Sequence, residues 1–146
     1  MLQRHFGRRL RRLLKRFPVV CLLGPRQAGK TTFIKTALPR WRYLDLEKPS
    51  DYAALSADPE EAVARLDRHF ILDKAQQSPA LFPVLRSAID TNRRPGRVVL
   101  LGSASPGLSG QIAESLAGRA GFLNVTLFQW HEVQGKRRFA LETLWL

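Results

Sequence analysis

The eight residues Gly24-Pro25-Arg26-Gln27-Ala28-Gly29-Lys30-Thr31 satisfy the pattern G-x-x-x-x-G-K-[ST] at every fixed position. The pattern has mechanical meaning only when a strand leads into it and a helix leaves it, and both conditions are met. Val19-Val20-Cys21-Leu22-Leu23 is a continuous apolar run of strand length, suited to a strand covered on both faces. Lys30 to about Thr36 reads as the opening of a helix. Wrapping backbone N–H groups around a phosphate needs conformations open mainly to glycine, which accounts for Gly24 and Gly29. Pro25 has no N–H to give, so the donors come from later positions, Arg26, Gln27 and Ala28 onward. The helix then points its positive end at the anion. In this arrangement Lys30 reaches the β- and γ-phosphates of a nucleotide, the Thr31 hydroxyl ligates Mg²⁺, and Thr32 lies in the same first turn.

The remainder of the chain alternates strands with helices. Strands are expected at Trp41–Leu46, His69–Asp73, Val98–Leu101 and Phe122–Phe128. Helices are expected over Asp51–Leu66, with Pro59 as a break, over Pro79–Asp90, and as a short piece at Gln111–Leu116. Ser103 to Gly110 is rich in Ser, Gly and Pro and reads as a mobile loop. Such alternation argues for an α/β domain with a largely parallel sheet of five strands.

At 146 residues, 45% hydrophobic and 25% charged, the chain is sized for one globular core. Its formal net charge of +12 is concentrated. Twelve Lys/Arg and no Asp or Glu precede Asp45, and from Asp45 onward there are twelve of each sign. Much of the excess lies in a first helix, where Leu2, Phe6, Leu10, Leu13, Leu14 and Phe17 recur at helical spacing. Arg4, Arg8, Arg9, Arg11, Arg12, Lys15 and Arg16 fill the other positions, and Pro18 ends the helix. The basic face is either simply solvated or meets nucleic acid, an acidic partner or a membrane surface. The lone Cys21 cannot cross-link the chain and reads as a small buried hydrophobe, in keeping with a reducing, cytoplasmic setting. No apolar stretch approaches the roughly 20 residues that span a bilayer. The organisation expected is a basic helix over residues 1–17, a nucleotide-binding domain over 18–128, and a tail over 129–146.

Three further positions bear on chemistry. Phe70-Ile71-Leu72-Asp73 is an apolar strand ending in a carboxylate, and a phosphate loop of this kind needs such an acid beside it to hold magnesium and its waters. The following residue is Lys74. A charged ammonium cannot take a proton from water, and loss of a general base costs about 10²–10⁴ in rate. Ser103 follows the fourth expected strand; its hydroxyl either faces the γ-phosphate or is that of an ordinary loop serine. Arg119 precedes the fifth and is either a solvated arginine or a contact to phosphate in its own site or a neighbour's.

Taken together, Gly24 to Thr32, Tyr43-Leu44-Asp45-Leu46, Ile71-Leu72-Asp73, Gln76, Pro79, Leu101-Gly102-Ser103-Ala104 and Glu114-Ser115-Leu116-Ala117-Gly118-Arg119 resemble the prokaryotic AAA-type P-loop ATPases that carry a C-terminal domain of unknown function. The resemblance implies a three-layer AAA-like core with ATP and Mg²⁺ as cofactors. It places Walker A at Gly24 to Thr31, the Walker B aspartate at Asp73, the sensor at Ser103, and an arginine-finger candidate at Arg119, which would need a homo-oligomer if it acts across an interface. The family's Walker B segment usually reads Leu-Asp-Glu-Val-Gln, whereas here it is Leu72-Asp73-Lys74-Ala75-Gln76. The chain also resembles a version cut off after the ATPase core, with a tail from Gly135 that matches nothing in the family. Three functions remain open: ATP binding with impaired turnover, an active ATPase in which a group such as Gln76 orients the water, and a basic nucleic-acid-binding module with a structural nucleotide.

Overall fold

The computed structural model describes residues 6–66 and 69–125. Within them five strands, β1 (Val19–Leu23), β2 (Arg42–Asp45), β3 (Phe70–Asp73), β4 (Val98–Gly102) and β5 (Ala120–Asn124), form one parallel sheet in the order β2-β3-β4-β1-β5. Six helices among the described residues connect or flank them: α1 (Phe6–Arg16), α2 (Lys30–Ala37), α3 (Pro49–Ser56), α4 (Pro59–Arg65), α5 (Leu81–Thr91) and α6 (Pro106–Ser115). The expected α/β class with a parallel five-stranded sheet is the architecture found. No helix among the described residues is long and apolar enough to cross a membrane.

The two-residue period of the strands divides the core into two layers. Val19, Cys21, Leu23, Phe70, Leu72, Val98 and Leu100 face α4, α5 and α6, where they meet Val63, Leu81, Leu85, Ile89, Leu108 and Ile112. Val20, Leu22, Ile71, Val99, Leu101 and Leu123 face α1 and α2, against Phe6, Leu10, Phe33 and Ile34. All five residues of β1 and of β4 are buried, as central parallel strands covered on both faces must be. Cys21 is fully buried, and desolvation pushes its thiol up to about 12, so it behaves as a small inert hydrophobe.

The apolar stripe of α1 lies across β1 and β5. Phe6 and Leu10 are buried, and Leu13 and Phe17 close over Gly121, where a Cβ would come within 2.5 Å of the Phe17 ring. Expected positions Leu2 and Arg4 lie outside the described residues, as do 126–128 of the expected fifth strand and the tail from 129.

One local expectation needs correcting. The segment 103–110 is a loop only as far as Ser105. There the Ser105 side chain accepts a hydrogen bond from the Leu108 N–H at 3.2 Å, Pro106 takes the first helical position, and α6 begins. A serine cap followed by proline is a helix start, and it outweighs Gly107 and Gly110, both exposed, because Leu108 anchors the first turn in the core. The helical segment expected over Asp51–Leu66 is divided at Pro59 as anticipated, into α3 and α4, the second capped by Asp58 accepting from the Glu61 N–H at 3.1 Å. Leu10→Ala should lower unfolding free energy by about 2–4 kcal/mol in urea titration, whereas Arg12→Ala on the opposite face should stay within about 0.5 kcal/mol.

Candidate functional site

In a parallel sheet all strand C-termini share one edge, and here that edge gathers Gly24 after β1, Asp73 at the end of β3 and Ser103 after β4. β4 lies between β1 and β3, so the Gly24 N–H donates to the Gly102 carbonyl at 3.3 Å and the loop starts locked to its neighbour. Gly24 is required by crowding rather than by its dihedral angles: a Cβ there would lie 2.2 Å from the Val125 carbonyl oxygen. The left-handed conformations of the loop fall on Gln27 (φ 62°) and Gly29 (φ 76°). Gly29 caps α2, accepting from the Phe33 N–H at 2.9 Å, and the first-turn amides of that helix have no acceptor within it. Pro25, Arg26 and Gln27 are exposed, Ala28 is buried against the core, and the Thr32 side chain is exposed beside Thr31.

The Lys30 ammonium folds back over the loop, donating to the Gly24 and Pro25 carbonyls, each at 2.8 Å. Burial holds its pKa below the ordinary lysine range; Asp73 works against that shift and Lys74 adds to it. A polyphosphate would supply the compensating negative charge this ammonium lacks.

The Thr31 hydroxyl donates to the Asp73 carboxylate at 2.7 Å, joining two residues 42 positions apart. The same carboxylate oxygen accepts from the Tyr43 hydroxyl, and the other accepts from the Lys74 N–H at 2.8 Å. Asp73 is therefore buried with three donors upon it. Burial, followed by the hydrogen bond to Asp73, raises the Tyr43 phenol well above its usual range, so it remains a donor. The Lys35 ammonium stacks 4.1 Å from the centre of the Tyr43 ring. A hydroxyl and a carboxylate at this separation fit Mg²⁺, which is usually held by one or two carboxylates and the phosphates of its nucleotide rather than by a full protein cage.

Lys74 has a left-handed backbone (φ 60°) and opens a single 3-10 turn at Ala75–Gln77. Its ammonium lies 3.6 Å from the Glu47 carboxylate, in the connection after β2. The Gln76 side-chain oxygen is buried with no hydrogen-bond partner among the described residues, beside Gly102. Ser103 is half-buried on the same sheet edge.

Arg119 does not join this group. It precedes β5, its carbonyl accepts from the Val19 N–H at 3.0 Å, and it therefore lies at the N-terminal edge of the sheet, about 13 Å or more away along a five-residue strand. The expectation that it reaches phosphate in its own site is corrected by that placement. Its guanidinium makes a two-pronged pair with Asp90, at 2.7 and 2.9 Å, which lowers the Asp90 pKa and raises its own. From the sequence Tyr43 enters only as part of the family resemblance, with no role at the site, and Glu47 is not singled out. Strand parity puts Tyr43 on the face of Ile71 and Asp73, but that relation exists only once β2 is known to pair with β3 in the register Asp45 to Asp73. Tyr43→Phe should cost about 1.5–3 kcal/mol by urea titration, since it removes a donor from a buried carboxylate. In a chain already carrying Asp73→Asn, the same substitution should cost almost nothing.

Residues 16–134 match the family described as AAA domain. Two uncharacterised proteins, one from Mycobacterium bovis and one from Mycobacterium tuberculosis, are each 43% identical over 147 aligned positions, covering 99% of this chain. The chain spans about a third of the length of these relatives, 32% in both cases. Among solved structures, a Walker-type ATPase of Pyrococcus abyssi superposes with a TM-score of 0.57 at 14% identity, covering 90% of this chain and 55% of that one. A signal-transduction ATPase with a tetratricopeptide-repeat sensor from Pyrococcus horikoshii gives 0.56 at 14%, covering 99% and 27%. At that identity these two speak for the fold alone. With the family match, the sheet order and the phosphate loop on its C-terminal edge, the chain belongs to the AAA-type P-loop ATPases, a nucleotide-binding family.

Proposed function

We propose that this domain binds ATP with Mg²⁺ at the C-terminal edge of its sheet and turns it over slowly or not at all. The observation that carries the proposal is the Thr31–Asp73 hydrogen bond of 2.7 Å, which joins the phosphate loop and the acidic strand end as one site. Lys30 and the amides from Gln27 to Thr32 bind the phosphates; Thr31 and Asp73 hold the metal, which supplies charge neutralisation at the phosphate oxygens. Ser103, on the same edge, is the sensor candidate. The impairment follows from Lys74, a cation where these ATPases usually carry a carboxylate that polarises water. Its side chain lies 3.6 Å from the Glu47 carboxylate, and an ammonium has no lone pair with which to take a proton from water. The unit that does this is residues 18–128, with α1 docked against it and the cytoplasm as its setting; a finger role for Arg119 requires a neighbouring copy of the chain and release of Asp90.

Titration of the full chain with a fluorescent ATP analogue should show saturable binding strengthened by Mg²⁺, and Lys30→Ala should weaken it at least tenfold. Phosphate release should be near background in the wild type and rise by about 10²-fold or more in Lys74→Glu. A flat rate in Lys74→Glu with ATP still bound would remove Lys74 from the water-activating position. A second reading, an active ATPase, is favoured by the unpartnered Gln76 oxygen, which is free to accept from a water. Steady wild-type phosphate release lost in both Asp73→Asn and Gln76→Ala would establish that reading instead.

Binding should also depend on pH in one direction. The free Lys30 pKa lies below 10.5 and phosphate restores it, so the complex holds the proton more tightly. Affinity should fall as pH rises through the free-state pKa of Lys30, and Lys30→Arg should remove that alkaline limb.

A further inference from the structure

The basic face of α1 takes no part in the nucleotide site, yet among the described residues it is the densest run of like charge. Arg8, Arg9, Arg11, Arg12, Lys15 and Arg16 are all exposed, and the helix contains no acidic residue. None of the six pairs with a carboxylate among the described residues, whose ion pairs lie at Glu61–Arg65, Glu47–Lys74 and Asp90–Arg119. From Arg8 to Arg16 they form a strip about 12 Å long. At its foot the Gly96 N–H donates to the Phe17 carbonyl at 2.9 Å, which tucks the turn carrying the exposed Arg93 and Arg94 under the end of α1. The acids Asp51, Asp58, Glu60 and Glu61 belong instead to α3 and α4, and α3 packs on β2, the opposite edge of the sheet.

We propose that this strip binds the phosphodiester backbone of duplex DNA. A membrane is disfavoured because amphipathic helices bind bilayers through their apolar face, and here that face is already covered: Phe6 and Leu10 are buried, and Leu13 and Phe17 close over Gly121. An acidic protein is disfavoured because protein interfaces centre on buried aromatic or aliphatic anchors, and the exposed positions of α1 offer only cations. Single strands are bound through aromatic stacking platforms, and the strip has none. Among the described residues the exposed large apolar side chains are Tyr52 on α3 and Phe122, whose neighbours Gly121 and Leu123 are the β5 residues that face α1. A duplex presents one negative charge per roughly 1.7 Å of axis, which a row of arginines can meet without base contacts.

The test is fluorescence anisotropy of the full chain with a labelled duplex of arbitrary sequence. With about six phosphate contacts, affinity should fall about 10³-fold between roughly 50 and 200 mM salt. The combined substitution Arg9→Gln, Arg12→Gln, Arg16→Gln should lower the log–log salt slope by about 2–3 while leaving melting temperature and nucleotide affinity unchanged. If that variant melts early, Arg8→Gln, Arg11→Gln, Lys15→Gln makes the same measurement on the remaining cations. Lys30→Ala should bind the duplex as the wild type does. Absence of binding at about 50 mM salt, an unchanged slope in folded variants, or tighter binding to phosphatidylserine vesicles or polyglutamate than to the duplex would overturn the proposal.

Discussion

The hydrogen bond from Thr31 to Asp73 is the contact on which the site depends. One partner stands on the first turn of α2 and the other at the end of β3, two strands away from β1 in the sheet. They meet because β4 separates their strands and because Ile71 and Asp73 point to the same face as α2. The sheet order thus brings two distant sequence signals together as one oxygen-rich cluster. On the same sheet edge Gly24 permits the Val125 carbonyl to approach where any side chain would collide.

Around this contact the protein keeps its charges unevenly compensated. Asp73 is satisfied three times over, by Thr31, Tyr43 and the Lys74 amide. Lys30 is half-buried and bonded to carbonyl groups, which satisfy its protons but not its charge. A site with a well-stabilised anion and an under-compensated cation favours an incoming polyanion, and the exposed cations of α1 repeat that imbalance on the surface. The two differ in geometry. The first lies at the strand ends where the loop after β1 meets the end of β3, the second is a strip along α1.

In the proposed function, Lys74 separates binding from turnover. The residues proposed to hold phosphate and metal stand on α2 and β3, whereas the position proposed for water activation is the residue just past β3. The ammonium at that position has the Glu47 carboxylate, in the connection after β2, at 3.6 Å.

The phosphate loop, the alternation of strands and helices and the strand ending in Asp73 were legible from the chain because each is a local pattern: fixed glycine spacing, period-two burial, a carboxylate after an apolar run. The start of α6 was missed although its serine cap and proline were present, since a Ser-Gly-Pro-rich composition reads equally as a loop until Leu108 is seen to anchor it. The site contacts of Tyr43 and Glu47 and the true place of Arg119 could not be read at all. A strand's neighbours, and the sheet edge on which a residue lies, follow from pairing among segments far apart in sequence. The chain by itself determined which chemistry was available, and only the tertiary structure decided which groups share a site, because parity and sheet order exist only after the strands have paired.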